Sequence, residues 1–144
     1  MEYRANEIGE EIGPLVKIPT IAETAYFAKL SRLDGRFTDI NTDTTELNEN
    51  KEEFMIVSSW QSMGYLTQLI TNWMLPQGFL TNLNIRFRRV IRPNDTLKCL
   101  GIITDIQIGH DKEIAILDLF IENQNGDKPL QGTAEVSFPN MPKN

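Results

Sequence analysis

The sequence predicts an α+β domain in which one long apolar helix is wrapped by a curved antiparallel sheet. The first observation behind this prediction is a run from Ser58 to Met74 in which apolar residues recur every three or four positions. The second is a change to a period of two from Phe79 onward, interrupted by turn residues. A helix and a strand meander of this kind cannot bury their apolar faces separately, so we expect the sheet to curve around the helix.

Length and composition indicate one globular domain over residues 1–144, with loose tails at 1–13 and 139–144. Hydrophobic residues make up 40% of the chain and charged residues 24%, which is typical of globular proteins. The acidic start MEYRANEIGEEIG is unlike a signal peptide. No segment approaches the roughly 20 apolar residues that span a bilayer. We therefore expect a cytoplasmic protein that has no membrane partner.

Charge and cysteine content exclude several kinds of site. The formal net charge is -6 and the basic residues form no long run. Binding to nucleic acid is therefore disfavoured, because phosphate contacts depend on Lys and Arg. Cys99 is the only cysteine, which excludes an intrachain disulfide and a cysteine-based zinc site. It lies within an apolar strand and is predicted to be an inert core residue. We expect neither a metal nor a cofactor.

A short helix is predicted from Ala22 to Leu30. Thr20 and Glu23 have the spacing of a capping box, in which each side chain satisfies a free amide at the start of a helix. The inward side of this helix is predicted to carry Ala25, Phe27 and Ala28.

The long helix is predicted over Ser59–Met74. Ser58 or Ser59 can cap its start, and Pro76-Gln77-Gly78 ends it. Its buried stripe is predicted to contain Met63, Leu66, Ile70 and Trp73, widened by Trp60 and Leu69.

Four strands are predicted after this helix. In the first, apolar residues alternate with polar ones, as in a half-buried strand. The second and third are predicted over Thr96–Ile108 and Glu113–Glu122, and Asn125-Gly126 favours a type I′ hairpin before the last. The alternating apolar residues of the first strand are Leu83, Ile85 and Phe87, and the last strand carries Leu130, Ala134, Val136 and Phe138.

Three segments, in this order and spacing, resemble the MaoC-like dehydratases, a hot-dog family that includes the (R)-specific enoyl-CoA hydratases. They are Ser62–Leu66 on the long helix, Arg86–Val90 on the first of these strands and Arg92–Leu97 at the following turn. The resemblance covers nearly the whole chain. It implies a single hot-dog domain that handles acyl-CoA or acyl-carrier-protein thioesters in fatty acid or polyketide metabolism. It also implies a homodimer, or a heterodimer with another MaoC-like chain.

The catalytic loop of that family reads Asp-x-Asn-Pro-(Ile/Val)-His-x-Asp and is best matched here within Leu33–Asp43. In this register Arg36 stands at the position of the catalytic Asp, and Asn41 stands at that of the catalytic His. Neither can act as a general base near neutral pH, because a guanidinium does not deprotonate and an amide does not titrate. A second register places Asp34 and Asp39 at the two positions. It saves one carboxylate but loses the matches at Phe37, Ile40 and Asp43, and it supplies no imidazole.

The resemblance further implies a substrate-binding surface near the start of the long helix. The family has His-Gly there, which is replaced by a serine pair ending at Ser59, and a backbone N–H at this place polarises the thioester carbonyl in relatives. Trp60 and Gln61 follow where the acyl group lies, although Trp60 is also a candidate for core or dimer packing. Arg86 and Arg88 either meet the phosphates of CoA or phosphopantetheine, or line the solvent face and pair with acidic residues.

The leading hypothesis for function is a MaoC-like protein of the hydratase/dehydratase type, which if active is a hydro-lyase. One version is a degenerate subunit that supports an active partner. The other is a homodimer with altered chemistry that uses Asp34 or Asp39. The alternatives are a hot-dog thioesterase that uses a loop carboxylate and a non-enzymatic acyl-thioester binding module.

Overall fold

The computed structural model describes residues 6–30 and 55–139. Their five strands are antiparallel and form one sheet in the order β1-β3-β4-β5-β2. This arrangement of one sheet and a long helix confirms the predicted α+β class. Numbered along the chain, the elements are β1 (Glu11–Lys17), α1 (Ile21–Leu30), α2 (Ser59–Met74), β2 (Phe79–Phe87), β3 (Leu97–Ile108), β4 (Lys112–Glu122) and β5 (Leu130–Pro139).

Helix α2 packs on one face of the sheet and forms the centre of the core. Leu66 and Ile70 are fully buried, and Leu69 is nearly so, which removes one face of the helix from water. Alternate residues of β3, β4 and β5 belong to the same buried cluster: Leu97, Cys99, Ile103, Ala115, Leu117, Leu119, Ile121, Leu130, Ala134, Val136 and Phe138.

The bounds of α2 match the prediction at both ends. Ser58 is the N-cap residue, and its side-chain oxygen accepts a hydrogen bond from the backbone N–H of Gln61 at 3.2 Å. At the other end, the N–H of Leu75 donates to the carbonyl of Thr71 at 3.2 Å. Leu75 itself is extended, so the helix stops there.

Trp60 does not belong to the buried stripe. Its side chain is 63% exposed, so the prediction that it widens the stripe is wrong. The reason is direction: Trp60 lies on the side of α2 that faces α1 rather than the sheet. Polar residues take the buried positions of this first turn instead, since Gln61 and Ser62 are 8% and 2% exposed.

Helix α1 begins with the predicted capping box. The N–H of Glu23 donates to the Thr20 hydroxyl oxygen at 3.0 Å, and the N–H of Thr20 donates to the Glu23 carboxylate at 3.4 Å. Ala28 is buried as predicted, and Phe27 is half-buried. Thr24 is also buried, and its hydroxyl donates to the Thr20 carbonyl at 2.8 Å.

Strand β1 was not predicted. It begins at Glu11, so the prediction of a loose tail up to residue 13 is wrong for its last three residues. The pairing with β3 shifts register between Ile12 and Leu15. Gly13, inside this bulge, has a φ of +94°, and a Cβ there would lie 2.7 Å from the carbonyl oxygen of Cys99. The Gly-Pro pair that builds the bulge is a turn signal in the sequence, which obscured the strand.

The turn between β4 and β5 also differs from the prediction. Gly126 has a positive φ of 82°, but Asn125 does not, so the turn is not type I′. The Asn123 side chain organises it instead, because its oxygen accepts from the N–H groups of Asn125 and Asp127, each at 3.0 Å. Strand β5 then continues through Pro139, so the predicted C-terminal tail does not include that residue.

Cys99 is fully buried in β3. Burial raises the pKa of its thiol to about 12, because a thiolate would be poorly solvated there, and nearby Lys17 offsets the shift only in part. The thiol therefore stays protonated near neutral pH, which agrees with the predicted inert role.

We expect Leu66→Ala to lower the free energy of unfolding by about 2–5 kcal/mol, because truncation of this fully buried side chain leaves a cavity. Gln68→Ala, on the exposed side of the same helix, is the control and should change it by less than about 0.5 kcal/mol. Urea unfolding followed by circular dichroism measures both values. A small effect at both positions would contradict the placement of Leu66 in the core.

Candidate functional site

The four predicted loop positions, Asp34, Arg36, Asp39 and Asn41, lie outside the described residues, so their roles stay predictions. The described residues on either side of the loop are informative. Leu30, before the loop, lines the same groove as the first turn of α2. The residues after it lead into α2 within four positions. The described residues that flank the predicted loop therefore lie near the start of α2.

The start of α2 places polar groups beside apolar surface. Ser58 is 2% exposed and caps the helix. The Ser62 hydroxyl lies 3.3 Å from the carbonyl of Ser58 and 3.2 Å from that of Ser59 and donates to these oxygens. The first amides of a helix have no partner within the helix and carry the positive end of its dipole. Those of Ser59 and Trp60 are therefore suited to a carbonyl oxygen that gains negative charge.

A cleft of about 390 Å³ runs between α1 and α2, and we call it the α1–α2 groove. Its wall on α2 has no side chain at Gly64, where an added Cβ would meet nothing within 4 Å. Trp60 and Tyr26 are 63% and 65% exposed at its rim. Most of the residues that line it are apolar or aromatic. The full lining is Glu23, Tyr26, Phe27, Leu30, Trp60, Gln61, Gly64 and Tyr65.

Gln61 and Tyr65 form a polar pair in the wall of this groove. The side-chain Nε2 of Gln61 donates to the Tyr65 hydroxyl at 2.8 Å. The Oε1 atom of Gln61 is buried and has no hydrogen-bond partner within the described part of the chain. Buried polar atoms are normally paired, so this oxygen marks an unfilled position.

The Tyr65 phenol stays neutral near physiological pH. Partial burial raises its pKa above the ordinary value, because the phenolate would be desolvated, and the hydrogen bond from Gln61 opposes this rise. Nearby Glu23 raises the pKa further by charge repulsion. The ammonium of Lys17 lies 5.8 Å from the ring centroid. Tyr65 therefore acts as a hydrogen-bonding group rather than a base.

A second cavity, of about 290 Å³, lies beside the start of α2. Ser59 and Ser62 line it from the helix, and Phe87 and Arg88 line it from the end of β2. Ser59 lines this cavity, and the next residue, Trp60, lines the α1–α2 groove. Both cavities therefore border the first turn of α2.

The predicted basic cluster separates into paired and unpaired residues. Arg89 lies 3.7 Å from Asp127 on an exposed surface, and Arg92 donates to a backbone carbonyl. Arg86 and Arg88 make no ion pair within the described ranges. Both side chains are exposed, so they lie on the solvent face, and their predicted roles stay predictions.

Arg86 and Arg88 line a hollow of about 420 Å³ together with Lys128. Ile85, next to Arg86, packs against the core. Since neighbouring residues of a strand point to opposite faces, Arg86 lies on the face turned away from α2. Arg88 lines both this hollow and the cavity beside Ser59, so it connects the two.

Two kinds of feature are absent from the described residues. They contain no cluster of three or more His, Cys, Asp or Glu side chains that could hold a metal ion. No helix among them is long and apolar enough to cross a membrane.

Tyr65 was not predicted as a site residue. A signal existed, because Gln61 and Tyr65 are four residues apart, as are Trp60 and Gly64, and residues at this spacing share a helix face. Helical periodicity alone does not reveal which neighbour that face contacts, so the groove could not be predicted without the position of α1.

No protein-family model matches the sequence, and no curated protein matches it significantly. Solved structures do match. An (R)-hydratase from A. caviae involved in PHA biosynthesis has a TM-score of 0.74 at 22% identity, covering 95% of this chain and 100% of that chain. A MaoC-like dehydratase from Rhodospirillum rubrum has a TM-score of 0.74 at 17% identity, covering 96% of each chain. A chain of the ChsH1-ChsH2 complex from Mycobacterium tuberculosis has a TM-score of 0.72 at 16% identity, covering 93% of this chain and 99% of that chain.

The chain has the MaoC-like hot-dog fold. This confirms the fold that the motifs on the long helix and the basic strand predict. The hot-dog fold also explains why one helix is enclosed by one curved sheet, with its N-terminal turn left at the edge of the core. At 16–22% identity the likeness establishes the fold, so a role for each site residue has to be argued from its own surroundings.

Proposed function

We propose that this chain binds an acyl thioester, of CoA or of a carrier protein, as a MaoC-like protein of the hydratase/dehydratase type whose catalytic pair is replaced. One observation carries the proposal: the α1–α2 groove and the cavity beside it both border the capped start of α2, and that cavity shares Arg88 with the hollow on the opposite face of the sheet. Trp60 lines the groove, Ser59 and Arg88 line the cavity beside it, and Arg88 and Arg86 line the hollow that also includes Lys128. An extended ligand with an apolar end and an anionic end fits this path.

The thioester is proposed to lie at the first turn of α2. There the free amides of Ser59 and Trp60 donate to its carbonyl oxygen, which becomes more negative as C2 or C3 reacts. Ser58 and Ser62 are buried in this turn. The serine pair that replaces the family's His-Gly leaves such backbone donors in place.

The acyl chain is proposed to lie in the α1–α2 groove, against Trp60 and Phe27. Apolar surface removed from water contributes about 25 cal/mol per Å², so this lining favours an acyl chain over a polar one. The gap at Gly64 leaves room along the helix.

The anionic end is proposed to meet Arg86 and Arg88, which lack other ion-pair partners among the described residues. In a chain of net charge -6, these two guanidiniums and Lys128 outnumber Asp118 among the residues that line the hollow, which leaves it positive. Guanidinium groups bind phosphate oxygens with two parallel hydrogen bonds, so phosphates of CoA or of phosphopantetheine suit this hollow.

The acid–base chemistry of hydration is what this chain is proposed to lack. Addition of water to an enoyl thioester needs one group that accepts a proton and another that delivers one. Tyr65 lies in the wall that α2 contributes to the groove, and its raised pKa keeps the phenol neutral near physiological pH. In the better register the loop contributes Arg36 and Asn41, neither of which is a base near neutral pH. We therefore favour a substrate-binding subunit that works with an active partner.

We expect the purified chain to bind butyryl-CoA but to hydrate crotonyl-CoA at close to the background rate. The missing acid and base each contribute about 10²–10⁴-fold to such a reaction. Isothermal titration measures binding, and loss of the enoyl absorbance measures hydration. Arg36→Asp combined with Asn41→His should raise hydration.

Three results would change the proposal. Robust hydration by the unmodified chain, abolished by Asp34→Asn or Asp39→Asn, would show that the second register and an active enzyme are correct. Release of free CoA from butyryl-CoA would favour the thioesterase alternative. No binding of any acyl thioester would contradict the proposal as a whole.

Strand β2 is proposed to join this chain to a second hot-dog chain. It pairs only with β5 among the described strands and leaves an open edge that is regular from Asn82 to Phe87, after a bulge between Leu80 and Asn82, and such an edge invites another strand. Phe79 and Phe87 are 73% and 47% exposed along it. The opposite edge, β1, contains a bulge and Pro14, which oppose further pairing. The match to a chain of the ChsH1-ChsH2 complex supports a heterodimer as an alternative to a homodimer.

We expect the purified chain to sediment as a dimer at micromolar concentration. Phe87→Lys should raise the dimer dissociation constant about tenfold or more, equivalent to about 1.4 kcal/mol, because it places a charge at the joined edge. Ile108→Lys is the control, since Ile108 is 82% exposed at the far end of β3. A wild-type chain that stays monomeric alone would contradict the homodimer, and equal effects of both variants would contradict the β2 edge.

A further inference from the structure

Gln61 and Tyr65 leave two hydrogen-bonding positions unfilled in the α1–α2 groove. The Tyr65 oxygen accepts a hydrogen bond from Gln61 Nε2 at 2.8 Å, and its own O–H proton has no acceptor within the described residues. Oε1 of Gln61 has no donor there either, although the side chain is only 8% exposed. The pair thus offers one donor and one acceptor.

This result does not depend on how the carboxamide is oriented. If its oxygen and nitrogen exchange places, Tyr65 donates to the oxygen of Gln61 and keeps a free lone pair, while the amide N–H groups become unpaired. Either orientation leaves one donor and one acceptor side by side.

The surroundings make this pair specific. Phe27 and Trp60 supply apolar surface around it, and Gly64 leaves space beside it. A buried polar atom without a partner is energetically costly, so a group that fills both positions is strongly preferred over one that fills neither. An anionic group is disfavoured, because Glu23 lines the same groove and Oε1 needs a donor.

We infer that Gln61 and Tyr65 recognise one neutral group that both donates and accepts a hydrogen bond, a hydroxyl or a secondary amide, on the otherwise apolar ligand of the groove. The inference rests on the proposed function and names a feature of its substrate. A hydroxyl would come from the acyl chain in the proposed orientation, and an amide would come from the pantetheine arm if the ligand occupies the groove in the reverse orientation. The pair determines specificity and positions the ligand.

Two matched ligand pairs distinguish the sources. Hexanoyl-CoA and 3-hydroxyhexanoyl-CoA differ by one hydroxyl, and the hexanoyl thioesters of N-acetylcysteamine and ethanethiol differ by one amide. We expect the wild-type chain to bind one hydrogen-bonding ligand about tenfold tighter than its partner, since each buried neutral hydrogen bond contributes roughly 0.5–1.5 kcal/mol. A preference in the first pair identifies the acyl hydroxyl, and a preference in the second identifies the amide.

Gln61→Leu should reduce that preference to about one while keeping affinity for the ligand that lacks the group, because an apolar isostere pairs with nothing. Tyr65→Phe should reduce it in part. Gln68→Leu, on the exposed side of the same helix, is the matched control and should leave it unchanged. Thermal unfolding of each variant verifies that it is folded, and Gln61→Leu should be no less stable than wild type because it removes an unpaired polar atom.

A wild-type preference below about twofold in both ligand pairs would overturn the inference, since even one such hydrogen bond is worth more than that. An unchanged preference in both Gln61→Leu and Tyr65→Phe would overturn it too. In these cases acyl thioesters still bind, so the proposed function survives. No binding of any of the four ligands would overturn the proposed function and the inference together.

Discussion

The burial of one face of α2 against the sheet is the constraint on which the rest of the structure depends. Leu66 and Ile70 lose all contact with water, and the surrounding strands close around them. Protein interiors are packed too tightly for such a helix to rotate freely. The direction of every other residue on α2 is fixed as a result, including those of its first turn, which Ser58 caps.

The site follows from that fixed direction. With its apolar face held by the sheet, α2 presents Trp60, Gln61, Gly64 and Tyr65 toward α1, and its N-terminal turn lies at the same end. The sheet contributes in a different way. Its face turned away from α2 carries Arg86, so positive charge lies across the sheet from the apolar groove, and the end of β2 joins the two surfaces.

The sequence predicts what local chemistry determines and misses what depends on neighbours. The bounds of α2 and the capping box of α1 follow from side chains within one turn, so both are predicted correctly. Strand β1 is missed because its bulge contains Gly13 and Pro14, which signal a turn. Trp60 is misplaced because periodicity shows that a face is apolar but not whether it meets the sheet or α1. The Gln61–Tyr65 pair and its unfilled position emerge only in three dimensions.

The central claim is that a bound thioester lies at the first turn of α2. A crystal structure of the chain with butyryl-CoA tests this most directly. The account predicts a thioester oxygen within about 3.5 Å of the amide nitrogen of Ser59 or Trp60, with the acyl chain in the α1–α2 groove and phosphates toward Arg86 and Arg88. Butyryl-CoA bound at another surface, with its thioester away from the start of α2, would contradict it.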